Sequence, residues 1–226
     1  MADLIDASPA KTPSHVRLPG RLVTIEPLDP AAHADALYEA SHGDGKDALW
    51  RYLWDGPYPN RPAFEASVRE RAASTDPLCF AIVDNRSGLA VGHAAYLRIT
   101  PAHRVIEIGS ILFTPAIQRT AGATEAMYLM ARHAFEDLGY RRYEWKCDAL
   151  NAPSRRAALR LGFQFEGIFR QHMIIKGRNR DTAWFAMIDS EWPLRKANFE
   201  RWLDPANFDS NGRQKESLSR LNGQAT

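Results

Sequence analysis

Three stretches of this chain carry residue types able to do chemistry. In Val105-Ile106-Glu107-Ile108-Gly109-Ser110-Ile111-Leu112-Phe113, apolar residues fall on both alternating faces, which describes a central strand, and Glu107 is its one acid. A carboxylate there is costly unless paired or used, so an ion-paired acid and a proton acceptor both stay open. Gly109 in the same run marks a bulge or a close approach by a ligand. The second stretch, Gln118-Arg119-Thr120-Ala121-Gly122-Ala123-Thr124, opens a helix with small residues. Unpaired first-turn N–H groups and the positive end of the helix dipole suit such a start to phosphate, although tight packing on a sheet selects small residues too. The third, Trp50 to Tyr58, is an aromatic loop holding Tyr52, Trp54 and Asp55. A carboxylate beside aromatic rings suits a cationic ligand, while core packing alone accounts for Trp50 and Leu53.

The elements that must position these groups follow from periodicity. Strands are predicted over 21–28, 78–84, 90–99, 104–113, 142–148, 165–175 and 182–188, with Asn85-Arg86-Ser87-Gly88 as hairpin chemistry between the second and third. Helices are predicted over 30–40 and 61–73, and over the stretch carrying Met127, Met130, Ala131, Ala134, Phe135 and Leu138, which Gly139 stops. Another opens at Asn151-Ala152-Pro153-Ser154 and runs to Leu161, and a last one over 192–203 is expected to bury Leu194, Phe199, Trp202 and Leu203. This order belongs to a single α/β domain over 21–190, with a helical extension over 191–209. Residues 1–20, with three prolines and little apolar content, are expected to form a mobile arm, and residues 210–226 a frayed polar tail.

Composition bounds the possibilities. With 226 residues, 45% of them hydrophobic, 14 Gly and 14 Pro, the chain suits one ordinary globular domain or at most two small ones. The absence of a long uncharged apolar run and of a basic-then-apolar start leads us to expect neither a membrane span nor export, and the cytoplasm as the compartment. Cys79 and Cys147 stand far apart, without disulfide-scaffold or zinc spacing, and are expected to be free buried thiols; the seven histidines likewise lack metal spacing. No GxSxG, HExxH, GxGxxG or GxxxxGK[ST] motif occurs. Charge is uneven: Arg21 to Phe80 holds six basic against ten acidic residues, whereas Arg141 to Arg180 holds ten against three. The first stretch should repel anions and the second attract them. RNA binding through the second would need exposed stacking aromatics that the strands do not show, so no nucleic-acid partner is expected.

The segment Phe113 to Ala126, together with Asn151-Ala152-Pro153-Ser154-Arg155-Arg156 and Leu161-Gly162-Phe163, resembles the GNAT (GCN5-related) N-acetyltransferases, particularly the branch of ribosomal-protein N-terminal acetyltransferases. That family's loop is Q/R-x-x-G-x-G/A, followed later by N-x-x-S/A and an L-G-F ending. Here Gln118 begins the loop, with Ala121 at the first glycine position and Ala123 at the last. The resemblance implies a mixed, mostly antiparallel sheet of about seven strands flanked by helices. It implies acetyl-CoA in the cleft where the parallel strands holding Glu107 and Trp145 splay apart. Its holders would be Leu112, Phe113, the loop Gln118 to Thr124, Asn151, Ser154, Arg155 and Arg156, with Glu125 pointing away from the phosphates. Glu107 would be the base. The tyrosine that many members carry seven positions after the Asn is Ala158 here, so Ser154 is the nearest thiolate acid, with helix capping as its other role. Trp50, Tyr52, Trp54, Asp55 and Tyr58 would line the acceptor site. The implied acceptor is an amine, either a peptide N-terminus or a small cationic amine, and the implied assembly a monomer or homodimer. Ala121 and Ala158 keep open a different class, an idle GNAT-fold acyl-CoA-binding sensor or scaffold.

Overall fold

Apolar residues on both faces of Leu78–Asp84, Ala90–Thr100 and Val105–Phe113 require cover on two sides, and the fold supplies it. A computed structural model describes residues 6–223. Its strands are Leu18–Pro19 (β1), Val23–Pro27 (β2), Leu78–Asp84 (β3), Ala90–Thr100 (β4), Val105–Phe113 (β5), Arg142–Asp148 (β6), Gln164–Ile175 (β7) and Arg178–Ile188 (β8). They form one sheet in the order β1-β2-β3-β4-β5-β6-β8-β7. The pairing is antiparallel except between β5 and β6.

Helices Pro30–Ser41 (α1) and Arg61–Ala73 (α2) cover one face, burying Leu37, Phe64 and Val68 against Cys79, Ala81 and Leu97. Each starts on a side-chain cap followed by proline in the first turn: Asp29 accepts from Ala31 N and Asn60 from Ala63 N. The helix Ala121–Arg132 (α3) lies on the other face with Trp192–Leu203 (α5), and Met127, Met130 and Phe199 pack there with Tyr96, Ile106, Tyr143 and Phe185. Ala152–Arg160 (α4) follows β6, and a single turn, Leu218–Leu221 (α6), lies near the end of the chain.

Several expectations need correction. The mixed, mostly antiparallel sheet is as expected, but among the described residues it has eight strands, because Leu18 pairs with Ile25 inside the stretch 1–20 expected to be a mobile arm, of which residues 1–5 lie outside the described ones. That stretch is held mainly through its backbone, Ala10 N donating to the Pro101 carbonyl and Lys11 N to that of Leu138, and composition does not register such bonds. The tail expected to fray is anchored over its described residues, since Leu218 is fully buried and Asn222 accepts from Asn198 Nδ2 and donates to the Arg160 carbonyl, while residues 224–226 lie outside the described ones. In α5, Leu194 is exposed, and Trp192 and Asn198 are buried instead. Cys79 and Cys147 are free and buried, as expected.

Candidate active site

The site begins where the one parallel pair comes apart. β5 and β6 pair from Val105↔Arg142 to Ile108↔Trp145; beyond that point β5 stays with β4 up to Phe113, and β6 stays with β8 up to Asp148. The main chain from Gly109 to Phe113 therefore has no strand partner on its β6 side. One extra residue is accommodated in β5 between the pairs Ala95↔Gly109 and His93↔Leu112, and Ser110 takes φ +48°. This bulge turns backbone amides and carbonyls toward the gap. Gly109 leaves room for its neighbour, since a Cβ there would stand 2.8 Å from Leu97 Cδ1 and the leucine side chain would have to shift. The gap opens into a cleft of about 2020 Å³ that reaches both faces of the sheet.

On the α3 face, β5 leads into the helix start. Thr120 caps α3, its hydroxyl accepting from Ala123 N at 3.3 Å and donating to the Ile117 carbonyl at 2.8 Å. The first-turn amides of Ala121 and Gly122 are left without intrahelical acceptors. Leu112, Phe113, Gln118, Arg119, Thr120, Ala121, Ala123 and Thr124 all line the cleft. Gly122 does not: its missing side chain faces inward, where a Cβ would meet Val23 Cγ1 at 3.1 Å, so this glycine serves packing. Glu125, expected to point outward, is buried and accepts from the backbone N–H groups of Arg21, Leu22 and Val23. It spends its charge joining α3 to the start of β2, over a hundred residues away in sequence.

α4 forms the opposite wall. Asn151, not Ser154, is its cap, accepting from Ser154 N at 3.2 Å and keeping its amide N–H groups available to the cleft. Ser154 Oγ accepts from Trp145 Nε1 at 3.0 Å, which leaves its own proton to donate. The face of α4 toward the cleft carries Pro153, Ser154, Ala157, Arg160 and Leu161, one helical stripe. Arg155 and Arg156 lie off that stripe. Arg155 turns back to the Ala149 carbonyl and over the Phe165 ring, and Arg156 is exposed. The α4 cation that faces the α3 start is Arg160, which donates to Thr124 Oγ1 at 3.0 Å and lies over the Trp202 ring. Arg160 stands in the sequence only as part of the basic stretch; the i, i+4, i+7 spacing of Pro153, Ala157 and Arg160 carries the signal of its place.

On the α1–α2 face, Tyr52, Trp54, Asp55 and Tyr58 line the cleft, whereas Trp50 is fully buried and donates to the Ser41 carbonyl, so it belongs to the core. Asp55 is not free for a cationic ligand. Arg71 of α2 forms an ion pair with it, and Tyr58 OH donates to the same oxygen at 2.6 Å. Two contacts close this side: Tyr52 OH to the Leu150 carbonyl, and Lys176 Nζ, from the β7–β8 turn, to the Trp50 carbonyl at 2.8 Å. His93 of β4 also lines the cleft, with both ring nitrogens unpartnered among the described residues.

Glu107 sits between the two sides. It is 3% exposed, and its Oε2 receives Arg98 Nη1 at 2.7 Å and Lys146 Nζ at 2.8 Å, so the acid is ion-paired. Oε1 has no such partner and stands 3.4 Å from where a Gly109 Cβ would be, at the lip of the gap. Lys146 also pairs with Glu144 and lies 3.8 Å from the centre of the Trp184 ring. Ala158, at the family's tyrosine position, is fully buried in the core. No cluster of His, Cys, Asp and Glu able to hold a metal occurs among the described residues, and no helix there is long and apolar enough to cross a membrane.

Comparison with known proteins agrees with this geometry. Residues 22–164 match the model of the acetyltransferase (GNAT) domain. The chain is similar to a GCN5-related N-acetyltransferase of Brucella melitensis whose crystal structure superposes with a TM-score of 0.94, at 48% identity over 96% of this chain and 99% of that one. An acetyltransferase of Salmonella typhimurium, described as modifying the N-terminal serine of a ribosomal subunit protein, shares the fold at 19% identity and a TM-score of 0.67, over 76% of this chain and 99% of that one. A curated relative, the uncharacterized N-acetyltransferase YoaA of Bacillus subtilis (strain 168), is 30% identical over 98 residues, which span 43% of this chain and 55% of that protein.

Proposed function

This chain belongs to the GNAT acetyltransferase family, and from that premise we propose that it transfers an acetyl group from acetyl-CoA to an amine by direct attack. The observation that carries the reading is the parting of β5 and β6 after Ile108↔Trp145, which leaves the backbone from Gly109 to Phe113 without a strand partner on its β6 side, in the cleft that the capped start of α3 also lines. Acetyl-CoA, when bound, supplies a thioester-activated acetyl group. Small side chains at Ala121 and Ala123 let the first-turn amides of α3 approach a pyrophosphate, and Arg160 adds a cation there. Unpaired amides at the β5 bulge and the amide of Asn151 suit an extended arm with alternating donors and acceptors, and a bulge N–H suits a carbonyl oxygen that gains charge.

For the proton traffic, Glu107 Oε1 collects the proton of the attacking amine while Arg98 and Lys146 fix the carboxylate by its other oxygen. Ser154, held by Trp145 through its oxygen, donates its proton toward the leaving sulfur. Cys147 lines the cleft, but burial pushes its thiol up, which disfavours a thiolate acyl-carrier and supports direct transfer. A non-catalytic acyl-CoA-binding role is favoured by two observations, the double clamp on Glu107 and the burial of Ala158 where a phenol would otherwise stand.

Calorimetry with acetyl-CoA, followed by mass spectrometry of amine and peptide pools incubated with isotope-labelled acetyl-CoA, separates the readings. Transfer requires both binding and a mass shift on an acceptor. Binding with no labelled product from any pool would favour the non-catalytic role.

A further inference from the structure

Arg180, in β8, is 7% exposed and lines the cleft, yet none of its guanidinium nitrogens meets an acceptor among the described residues, and its Nε is sealed from solvent with no partner. A buried guanidinium with no hydrogen-bonded or ion-paired partner is a costly arrangement, and only longer-range attraction, first from Asp148, offsets it. Arginine does not escape by neutralising, even though burial pulls this one below the ordinary arginine value.

None of the nearby acids forms an ion pair with Arg180. Asp55 is held by Arg71, and Glu107 by Arg98 and Lys146. Asp148, the acid that acts most on Arg180, is outside ion-pair range, and its Oδ1 accepts from Leu150 N. His172 reports the resulting field: its imidazole is held low first by burial and then by Arg180, Arg98 and Lys146, with Glu107 opposing. Strand alternation puts Arg180 on the same face of β8 as Thr182 and Trp184, beside Lys146, and away from Ala183, Phe185 and Met187 in the α3–α5 core. It therefore belongs to the acceptor side of the sheet, opposite the α3 start that suits phosphates.

We propose that Arg180 anchors a carboxylate carried by the acceptor, so that the acceptor is an amine bearing a carboxylate and not a polyamine. A planar guanidinium with no protein partner matches a carboxylate in bidentate fashion, and Arg180 lines the same cleft as Glu107 and Gly109, close enough to Glu107 to feel its charge. The inference rests on the transferase reading above, and it replaces the cationic acceptor suggested by Asp55 in the sequence.

Matched acceptors test it. With saturating acetyl-CoA, glutamate is compared with glutamine, free α-amino acids with their α-amides, and Gly-Glu with Gly-Gln, with spermidine as a carboxylate-free amine. The expected result is a kcat/KM advantage of about ten-fold or more for the carboxylate member of at least one pair, and the pair that shows it tells an α-carboxylate from an acidic side chain. In Arg180→Gln the advantage collapses to near unity through a higher KM for the carboxylate, and Arg180→Lys recovers part of it. Equal turnover of acid and amide in every pair, best turnover of spermidine, or an advantage that survives Arg180→Gln would overturn the proposal. If acetyl-CoA binds but no amine is acetylated, the transferase reading itself fails, and calorimetry with succinate decides on the subsite alone. Succinate binding lost in Arg180→Gln supports a carboxylate site; binding absent from the parent or unaltered in the variant refutes it.

Discussion

Lys146 Nζ stands 2.8 Å from Glu107 Oε2, tying β6 to β5 just before the two strands part. The same ammonium is 2.6 Å from Glu144 Oε2, and all three side chains are almost sealed from solvent. Lys146 thus sits between two buried carboxylates that neighbour each other in the parallel register.

Removing that cation should cost far more than removing either acid. Lys146→Met leaves Glu107 with Arg98 and Glu144 with Arg142, both more exposed than the lysine, so a loss of roughly 3–5 kcal/mol in urea unfolding is expected. Glu107→Gln leaves Lys146 paired with Glu144 and should cost no more than about 1–2 kcal/mol. Equal losses in the two variants would mean that the lysine is not the keystone of the cluster.

At the cofactor side, the structure separates residues that the sequence treats alike. Ala121→Trp should weaken acetyl-CoA binding by about ten-fold or more with the fold retained, because Ala121 lines the cleft. Gly122→Leu should instead lower the melting temperature by several degrees at unaltered affinity, since its side chain is driven into Val23. Calorimetry and thermal unfolding on both variants check this, and a reversed pattern would place the phosphates elsewhere.

Arg160→Gln should reduce acetyl-CoA affinity by roughly ten- to a hundred-fold, the range of a charge-assisted bond to phosphate, while Arg155→Glu with Arg156→Glu has little effect. Strong weakening by the double reversal and none by Arg160→Gln would contradict the placement of α4.

These contrasts show what a one-dimensional reading can reach. The Glu107 strand, the small-residue start of α3 and the Asn151 start of α4 are legible because strand alternation, helical periodicity and helix-start residues are local signals. Arg160 was hidden because a charge count has sign but no direction, and only the helical stripe through Pro153 and Ala157 separates it from Arg155 and Arg156. Asp55 looked free because its counter-charge, Arg71, comes from the following helix, and Glu125 looked solvent-facing because its partners are three backbone amides near the start of the chain. Likewise the stretch from Ala10 to Gly20 reads as loose because what ties it down is mostly main chain.

His93 provides a test by pH. Burial first, and then the Arg71 charge, pull its imidazole from the usual 6.5 down to about 3. Below 6.5 the unfolded chain takes up a proton that the folded chain refuses, so this group removes stability as pH falls from 6.5 toward 3. At about pH 5 the loss is on the order of 2 kcal/mol. Urea unfolding across that window should show a shallower decline in His93→Gln than in the parent, after allowing for His42 and His133, which burial lowers in the same direction. Parallel profiles would show that His93 reaches solvent or a partner in solution.

The most direct test of the account is the rate at which CoA thiol appears from saturating acetyl-CoA, measured with and without an acceptor amine, for the parent and for Glu107→Gln. The expected result is release that depends on the amine, a fall of roughly 10²-fold or more in kcat for Glu107→Gln, and acetyl-CoA affinity equal in the two proteins by calorimetry. Thiol release equal in the two proteins and indifferent to added amine would contradict it.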